Sequence, residues 1–475
     1  MAVSIDQRPL YKVLPIGQQI IFSVSESQIV ATKFKVKFIA EIHVSNTAIN
    51  LSSTTDIIGT FKTTPNNAGV GIFDLRPILE TFISPDNEPS SATSSTYKGI
   101  ASDITTFPIH LVDKYSLSEK SIKYFAIQFK IEYAESASGV VLAPGQGGNT
   151  LNAENSAQYT MFNGVLQYDD VLTKSLFGND YGYNLQNFEL TDNDSQFLSN
   201  APTTQYARLT DYGTLPFLNY VPLSSTPASS VDVDWITITY YKADGSSAGG
   251  TDNVLNTAAN GGAASAGDAN TRLSYFGAFP ANLQNWSANF ATAVANDLAY
   301  YTVQAFKLTN PISKLYTINI ICPNLKGFEA IRLAWLNQWG TWDYYTFNMK
   351  STRTIATKRT SYTQLSGTWN ESTFRIADYK GGKKNFRVNS TEKITLNTDF
   401  VTEAEGVWFE ELINSNAVYI VNGFSSDVAN TITNKYIDPV VLTTSSYVKK
   451  TIANDKVMQY TIEIEKSKMK RTQAV

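Results

Sequence analysis

The sequence predicts a mainly β protein made of several β-sandwich-like domains with a few short helices. Composition is the first observation behind this expectation. The chain has 475 residues with 26 Tyr, 25 Phe and only 17% charged residues, and aromatic and β-branched side chains suit a pleated, half-buried surface. Periodicity is the second, because several segments alternate apolar and polar residues as half-buried strands do. The length corresponds to roughly two to four domains.

The N-terminal region shows this alternation twice. Residues 34–44 place an apolar side chain at every second position, with Ile39 as the exception, and residues 125–133 repeat the pattern. Between them, residues 74–82 predict one short helix, in which Asp74 can cap the first turn. Two sheets with one helix in a crossover predict an N-terminal β-sandwich over residues 1–142.

Two stretches rich in Gly, Ala and Asn interrupt the pattern. Residues 143–155 predict a polar linker, and residues 243–270 predict an insertion within a central β domain that spans 156–395. Such compositions bury too little apolar area to offset the entropy lost on ordering. In an assembly, long polar loops are places where a neighbouring molecule makes contact.

The second half of the chain mixes helices and strands. Residues 284–300 carry Trp286, Phe290, Val294 and Leu298 at a spacing of four, which predicts a helix. Residues 331–335 and 344–347 read as a hairpin with Gly340 in its turn.

The C-terminal residues 396–475 predict an α+β segment packed on the central domain. Thr402 and Glu405 have the spacing of a capping box, so a helix begins there. Strands are predicted at residues 417–421, 440–444 and 457–464. A basic end follows, and we expect it to fray or to be held by a partner.

Charge and cysteine content narrow the classes of function. A net charge of −4 and a pI near 5.5 argue against a dedicated nucleic-acid binder. The single Cys322 excludes an intramolecular disulfide and is expected to be a buried small apolar residue. No signal peptide and no run of 18 apolar residues is visible, so we expect synthesis in a cytoplasm and no membrane insertion.

Catalytic signatures are weak throughout. The chain has two histidines, His43 and His110, far apart in sequence, and one cysteine, which makes a nucleophile–base pair or a zinc site improbable. The run Asp192–Asp194 is better explained as a turn than as a calcium loop. Adjacent carboxylates at 169–170 and 410–411 leave a glycosidase-type pair open. We expect a non-enzymatic protein without cofactor or metal.

Aromatic residues supply the first candidate partner contacts. Four tryptophans lie within 35 residues: Trp335, Trp339, Trp342 and Trp369. They either form the core of a hairpin or contact a protein or a sugar. We expect core packing for most of them, with the hairpin tip at Trp339 and Trp342 exposed.

Basic residues supply the second set of candidates. Residues 350–393 contain ten basic and three acidic side chains, which form either a solvated β face or a docking surface for an acidic partner. The candidates here are Lys380, Lys383 and Lys384, together with Lys468, Lys470 and Arg471 in the C-terminal tail.

Several segments, taken together, resemble virion proteins of tailed phages that infect Bacteroidota, including crAss-like phages. They are LAWLNQWGTWDYYTF (333–347), FLSNAP (197–202), DYGTLPFLN (211–219), VWFEELINSNAVYIV (407–421) and residues 439–465. The resemblance implies a structural part of a tail, hub or baseplate ring, synthesised in the host cytoplasm, with copies of itself and other virion proteins as partners. The alternatives are an adhesion protein that binds a receptor or glycan through exposed tryptophans, and a tail-associated hydrolase.

Overall fold

The computed structural model describes residues 3–9, 12–90, 107–150, 153–166, 188–219, 233–256, 268–321, 327–369, 371–423, 436–444, 446, 448 and 458–472. Strands hold 44% of residues and helices 12%, in several separate sheets, which confirms the predicted fold class. The chain divides into two compact units. Unit 1 comprises Met1–Ile321, Leu336–Asp343 and Gly423–Asn434, and unit 2 comprises Cys322–Trp335, Tyr344–Asn422 and Lys435–Val475.

The strands up to residue 320 belong to unit 1. In chain order they are β1 (Ser4–Gln7), β2 (Val13–Pro15), β3 (Ile21–Ser25), β4 (Phe34–Ser45), β5 (Ile57–Thr63), β6 (Val70–Asp74), β7 (Tyr115–Leu117), β8 (Ile122–Ala134), β9 (Val141–Leu142), β10 (Glu154–Asn155), β11 (Tyr159–Phe162), β12 (Thr204–Ala207), β13 (Thr214–Leu218), β14 (Trp235–Tyr241), β15 (Ser247–Leu255), β16 (Leu273–Gly277), β17 (Tyr300–Lys307), β18 (Asn310–Pro311) and β19 (Tyr316–Ile320).

The remaining strands form one sheet. They are β20 (Ile331–Leu336), β21 (Trp342–Phe347), β22 (Thr352–Gln364), β23 (Gly382–Asn397), β24 (Val418–Val421), β25 (Ile437–Leu442) and β26 (Thr461–Lys466). The helices are α1 (Ser27–Thr32), α2 (Arg76–Leu79), α3 (Pro280–Gln284), α4 (Ala288–Ala295) and α5 (Glu403–Asn414), with short 3-10 turns at Glu80–Phe82, Ile109–Leu111 and Ala269–Thr271. No described helix is long and apolar enough to cross a membrane.

A β-sandwich forms the N-terminal part of unit 1, as predicted. One sheet has the order β1-β3-β6 and the other β2-β11-β8-β4-β5. Their facing side chains share one core, in which the ring of Phe129 lies 5.6 Å from both Phe22 and Phe73. In the middle of residues 34–44, Phe38, Ala40 and Ile42 are fully buried, as the alternation predicts. Ile39 and His43 on the other face are buried as well, and Phe34 at the start of β4 is exposed.

The predicted boundary at residues 143–155 differs from the division that the structure shows. β9 lies before the polar stretch and β10 and β11 lie at or beyond its end, yet all three pair with β8. A separate sheet, β13-β16-β7, joins residues 115–117 to strands beyond residue 214. Long-range pairing therefore places the predicted N-terminal and central domains in one unit up to residue 321.

The six-stranded sheet with the order β12-β19-β17-β14-β15, in which β18 also pairs with β17, corrects one further expectation. Ser247–Leu255, which fell in the predicted insertion 243–270, is strand β15 and forms a hairpin with β14. The helix expected at 284–300 is shorter than predicted. α3 has ended at Gln284, and α4 spans only Ala288–Ala295, beginning where the Ser287 side chain accepts a hydrogen bond from the Phe290 amide. Asp297 then adopts a left-handed φ of 62°, and the chain enters β17.

Unit 2 contains the sheet β21-β20-β24-β25-β26-β23-β22 and helix α5. The capping box at Thr402 and Glu405 is formed, which confirms the start predicted for this helix. α5 packs on β20 and β21 through aromatic rings: Trp408 lies 4.8 Å from Trp335, and Phe409 lies 4.8 Å from Tyr345. The three strands predicted in the C-terminal segment are present with bounds shifted by a few residues.

We expect Phe129→Ala to lower the free energy of unfolding by about 3–5 kcal/mol, because it leaves a cavity between two well-packed sheets. The matched control is Phe34→Ala, since Phe34 lies on the neighbouring strand but is 47% exposed, and it should cost less than about 1 kcal/mol. Urea denaturation followed by circular dichroism measures both. Equal losses would contradict the core assigned here.

Candidate interaction surface

The hairpin tip between β20 and β21 lies in the core of unit 1, so the prediction that Trp339 and Trp342 are exposed is wrong. The two side chains are only 5% and 1% exposed. Trp342 donates from Nε1 to the carbonyl oxygen of Asp86 at 2.7 Å, and its ring lies 5.0 Å from that of His110. The ring of Trp339 lies 4.6 Å from that of Phe188. These two tryptophans are therefore structural.

The turn that carries them is defined by Asn337 and Gly340. The Asn337 side-chain oxygen accepts hydrogen bonds from the amides of Trp339 and Thr341, both at 3.0 Å. Gly340 has a φ of 73°, and a Cβ there would lie 1.4 Å from the carbonyl oxygen of Asn163. Both conformation and space require glycine at this position, as the sequence predicted for the turn.

The most exposed regular structure in unit 2 is the hairpin of β22 and β23. β23 pairs with β26 only over Lys393–Asn397, and an isolated bridge joins Ser390 to Lys470. Beyond that point, β22 and β23 pair only with each other in the part of the chain that the structure describes. We call residues 358–388 the arm.

The arm carries a set of exposed apolar side chains. Trp369 is 66% exposed, Ile376 73% and Tyr379 74%. Large exposed apolar patches in soluble proteins usually mark sites of interaction. The full set is Tyr362, Leu365, Trp369, Phe374, Ile376, Tyr379, Phe386 and Val388.

Local contacts shape the end of the arm. Gly367 has a φ of 96°, and a Cβ there would lie 2.3 Å from the ring of Phe374. Thr368 and Arg375 exchange backbone and side-chain hydrogen bonds, and the ring of Trp369 lies 5.2 Å from that of Phe374. A defined turn thus presents the exposed rings.

Three predicted lysine contacts lie on the arm. Lys383 is exposed, and Lys384 donates from Nζ to the backbone oxygen of Tyr379. The Nζ atom of Lys380 lies 3.9 Å from Oε1 of Glu371. The arm holds seven basic and two acidic residues, a net charge of +5. The structure therefore brings the predicted lysines together with the exposed rings.

Sequence reasoning missed the exposed aromatic residues of the arm. The sequence did contain a signal for this exposure. Residues 352–364 read TRTIATKRTSYTQ, in which apolar residues do not recur at every second position. A strand without an apolar face has nothing to bury against its own domain.

An ionic cluster fixes the base of the arm to the C-terminal tail. Glu392, which is buried, accepts from Arg353 Nη1 at 2.7 Å and from Lys470 Nζ at 2.8 Å. Hydrogen bonds from these two cationic side chains lower the pKa of the Glu392 carboxyl to about 2, and the bond from Lys470 has the larger effect. The basic tail is therefore held within the chain at Lys470, while Lys468 and Arg471 are exposed.

Residues considered for chemistry do not converge. His43 and His110 are both buried in unit 1, and Asp192 accepts backbone hydrogen bonds within a turn. Among the described residues, no three His, Cys, Asp or Glu side chains form a group that could hold a metal ion. Cys322 and the pair 169–170 lie outside the described residues.

No protein-family model matches the chain, and no curated protein matches it. The arm is therefore interpreted from its own geometry.

We expect Glu392→Gln to lower the free energy of unfolding at pH 6 by about 1–2 kcal/mol, less than the full shift implies because Arg353 and Lys470 are partly solvated. A depressed carboxyl pKa stabilises the folded state above the ordinary value of 4.5. The difference between wild type and variant should fall to roughly half near pH 3 and vanish below pH 2.

Urea denaturation at pH 6 and pH 3 measures this difference. The control is Glu371→Gln, since Glu371 is exposed on the arm and lies 3.9 Å from Lys380, and it should change stability little at either pH. A deficit for Glu392→Gln that stays constant between the two pH values would contradict the ionic cluster.

Proposed function

We propose that the protein is a structural component of a tailed-phage virion, part of a tail, hub or baseplate ring, which acts through protein–protein contacts without a catalytic step. The single structural observation that supports a role in protein–protein contacts is the arm. An isolated two-stranded hairpin is only marginally stable in water. One that exposes eight large apolar side chains becomes a favourable structure when another molecule covers it.

The composition of the arm suits a protein partner. Protein interfaces are enriched in aromatic residues and arginine, and the arm exposes Trp369, Phe374 and Tyr379 beside Arg375. Its aliphatic residues, Leu365 and Ile376, gain free energy only where an apolar surface covers them. A protein surface offers both kinds of contact.

The placement in a virion rests on the sequence resemblance, and the mainly β architecture agrees with it. Virion proteins of this kind are built from β-sandwich modules and work as repeated copies. The low proportion of charged residues, 17% against about 25% in typical soluble domains, also suits a chain whose surface is largely covered by neighbours.

Glycan binding is the competing function, and the structure weakens its basis. Trp339 and Trp342, the tryptophans expected to stack on a sugar, are buried. Trp369 is exposed and could stack on a sugar ring. Glycan binding would not use the aliphatic and basic residues beside Trp369, so Trp369→Ala alone would abolish it.

The proposed function predicts that the arm is needed for incorporation into particles. Arg359 and Val388 are cross-strand partners, so residues 360–387 can be replaced by Asn-Gly, which closes a two-residue hairpin. We expect the shortened chain to unfold cooperatively at a temperature close to that of wild type and to enter particles at least tenfold less than wild type.

Quantitative mass spectrometry of purified particles, assembled with the variant as the sole copy, measures incorporation. The control is Val140→Ala, which alters an exposed apolar residue outside the arm and should leave incorporation unchanged. Absence of the wild-type chain from purified particles would contradict the proposal, as would retention of a specific glycan that Trp369→Ala abolishes.

A further inference from the structure

We infer that the arm of one copy binds unit 1, the unit with a net negative charge, of a second copy of this chain, in a head-to-tail contact. This inference rests on the proposed function and names the partner of the arm. Its evidence is the distribution of charge along the chain, the number of residues that the arm offers, and the unsuitability of the arm for pairing with another arm.

Charge is strongly divided between the two units. Unit 1 contains 18 basic and 29 acidic residues, a net charge of −11, whereas unit 2 contains 20 and 13, a net charge of +7. The arm alone accounts for +5 of that +7. Every copy thus carries a basic projecting element and an acidic unit, and complementary potentials favour contact between them in different copies.

The size of the arm matches that of a specific contact. Standard interfaces use about 20–30 residues on each side, and the arm has 31. Its two strand segments, residues 358–364 and 382–388, each extend for about 23 Å at roughly 3.3 Å per residue. The exposed rings of Trp369 and Tyr379, with the exposed Ile376, supply apolar residues for the centre of such an interface.

Symmetric pairing of two arms is disfavoured. β22 is the edge strand of its sheet, so it could add to the same strand of another copy. Lys358 and Arg359 lie at the middle of β22, and antiparallel pairing centred between them would place Lys358 of each copy opposite Arg359 of the other. Like charges directly opposite each other destabilise a sheet, and charged edges prevent such pairing in natural proteins.

A nucleic acid suits the arm less well than an acidic protein surface. Bases stack on aromatic rings and phosphates pair with lysine and arginine, but Leu365, Ile376 and Val388 would stay exposed to water. The net charge of −11 on unit 1 would also repel the same polymer. An apolar and acidic surface satisfies both halves of the arm's composition.

A head-to-tail contact determines which kinds of oligomer can form. A contact between two different surfaces leaves one free arm and one unoccupied unit 1 at the ends of any short oligomer. Such heterologous contacts close into rings when the rotation permits and otherwise continue as filaments. The ring invoked in the proposed function follows from this kind of contact.

The test is sedimentation velocity of the purified full-length chain over a concentration series in 50 mM and 500 mM NaCl. We expect concentration-dependent oligomers that weaken at least tenfold at the higher salt concentration. The double variant Lys383→Glu with Arg387→Glu should be monomeric. The control Lys468→Glu with Arg471→Glu makes the same change of charge at exposed tail residues and should associate like wild type.

A mixing experiment separates head-to-tail from symmetric contacts. The chain with residues 360–387 replaced by Asn-Gly keeps unit 1 but lacks the arm, so it should be monomeric alone. Mixed in excess with wild type, it should occupy wild-type arms and reduce the oligomers to 1:1 complexes. In a symmetric arm-to-arm contact it would bind nothing and leave the wild-type oligomers unchanged.

Several outcomes would overturn the inference. They are a wild-type chain that stays monomeric at 100 μM, a tail variant that loses association while the arm variant keeps it, and an arm that binds a 20-mer oligonucleotide more tightly than it binds another copy. Any of these would leave the proposed virion role standing if the chain is still found in purified particles, so the two failures are distinguishable.

Discussion

The structure of unit 2 depends on how β23 pairs with its neighbouring strands. Over Lys393–Thr395 this strand has a neighbour on each side, β22 and β26. Beyond Ser390 it has β22 alone among the described strands. The ladder on the proximal part, reinforced by the bonds that Glu392 makes to Arg353 and Lys470, fixes the direction of a hairpin whose distal part has no support from its own sheet.

The fixed base lowers the conformational entropy that the distal part of the hairpin would lose on binding. A flexible segment with the same residues would lose much conformational entropy on binding. A hairpin with a paired ladder and a defined turn at Gly367 and Thr368 has already lost most of that entropy. In the proposed contact, the ionic cluster at the base would therefore favour binding as well as stability, because it holds the exposed rings in one orientation.

Sequence reasoning was most successful where local chemistry decides the structure. The capping box at Thr402, the glycine turn at Gly340 and the alternation around Phe38 each depend on residues within a few positions, and all three are present. It failed where distant residues decide. The burial of Trp342 depends on Asp86, 256 residues earlier in the chain, and β15 is a strand because β14 offers it an edge, despite its Gly-rich composition.

The same limit applies to the interaction surface. Lys380, Lys383 and Lys384 could be identified from an excess of basic residues, but the exposure of Trp369 could not, because tryptophan in a strand-rich region is usually core. The absence of an apolar face in β22 was the local sign that this hairpin leaves its domain. Whether such a hairpin covers its own chain or another molecule is decided by contacts that sequence periodicity does not encode.

The most direct measurement of the central claim is photo-cross-linking from the arm. A benzophenone side chain at position 379 replaces an exposed tyrosine, and mixing labelled chain with ¹⁵N-labelled wild type distinguishes links between copies from links within one. Head-to-tail binding of the arm predicts inter-copy links from position 379 to peptides of unit 1, lost at 500 mM NaCl. Links confined to one chain, or links between the arms of two copies, would contradict it.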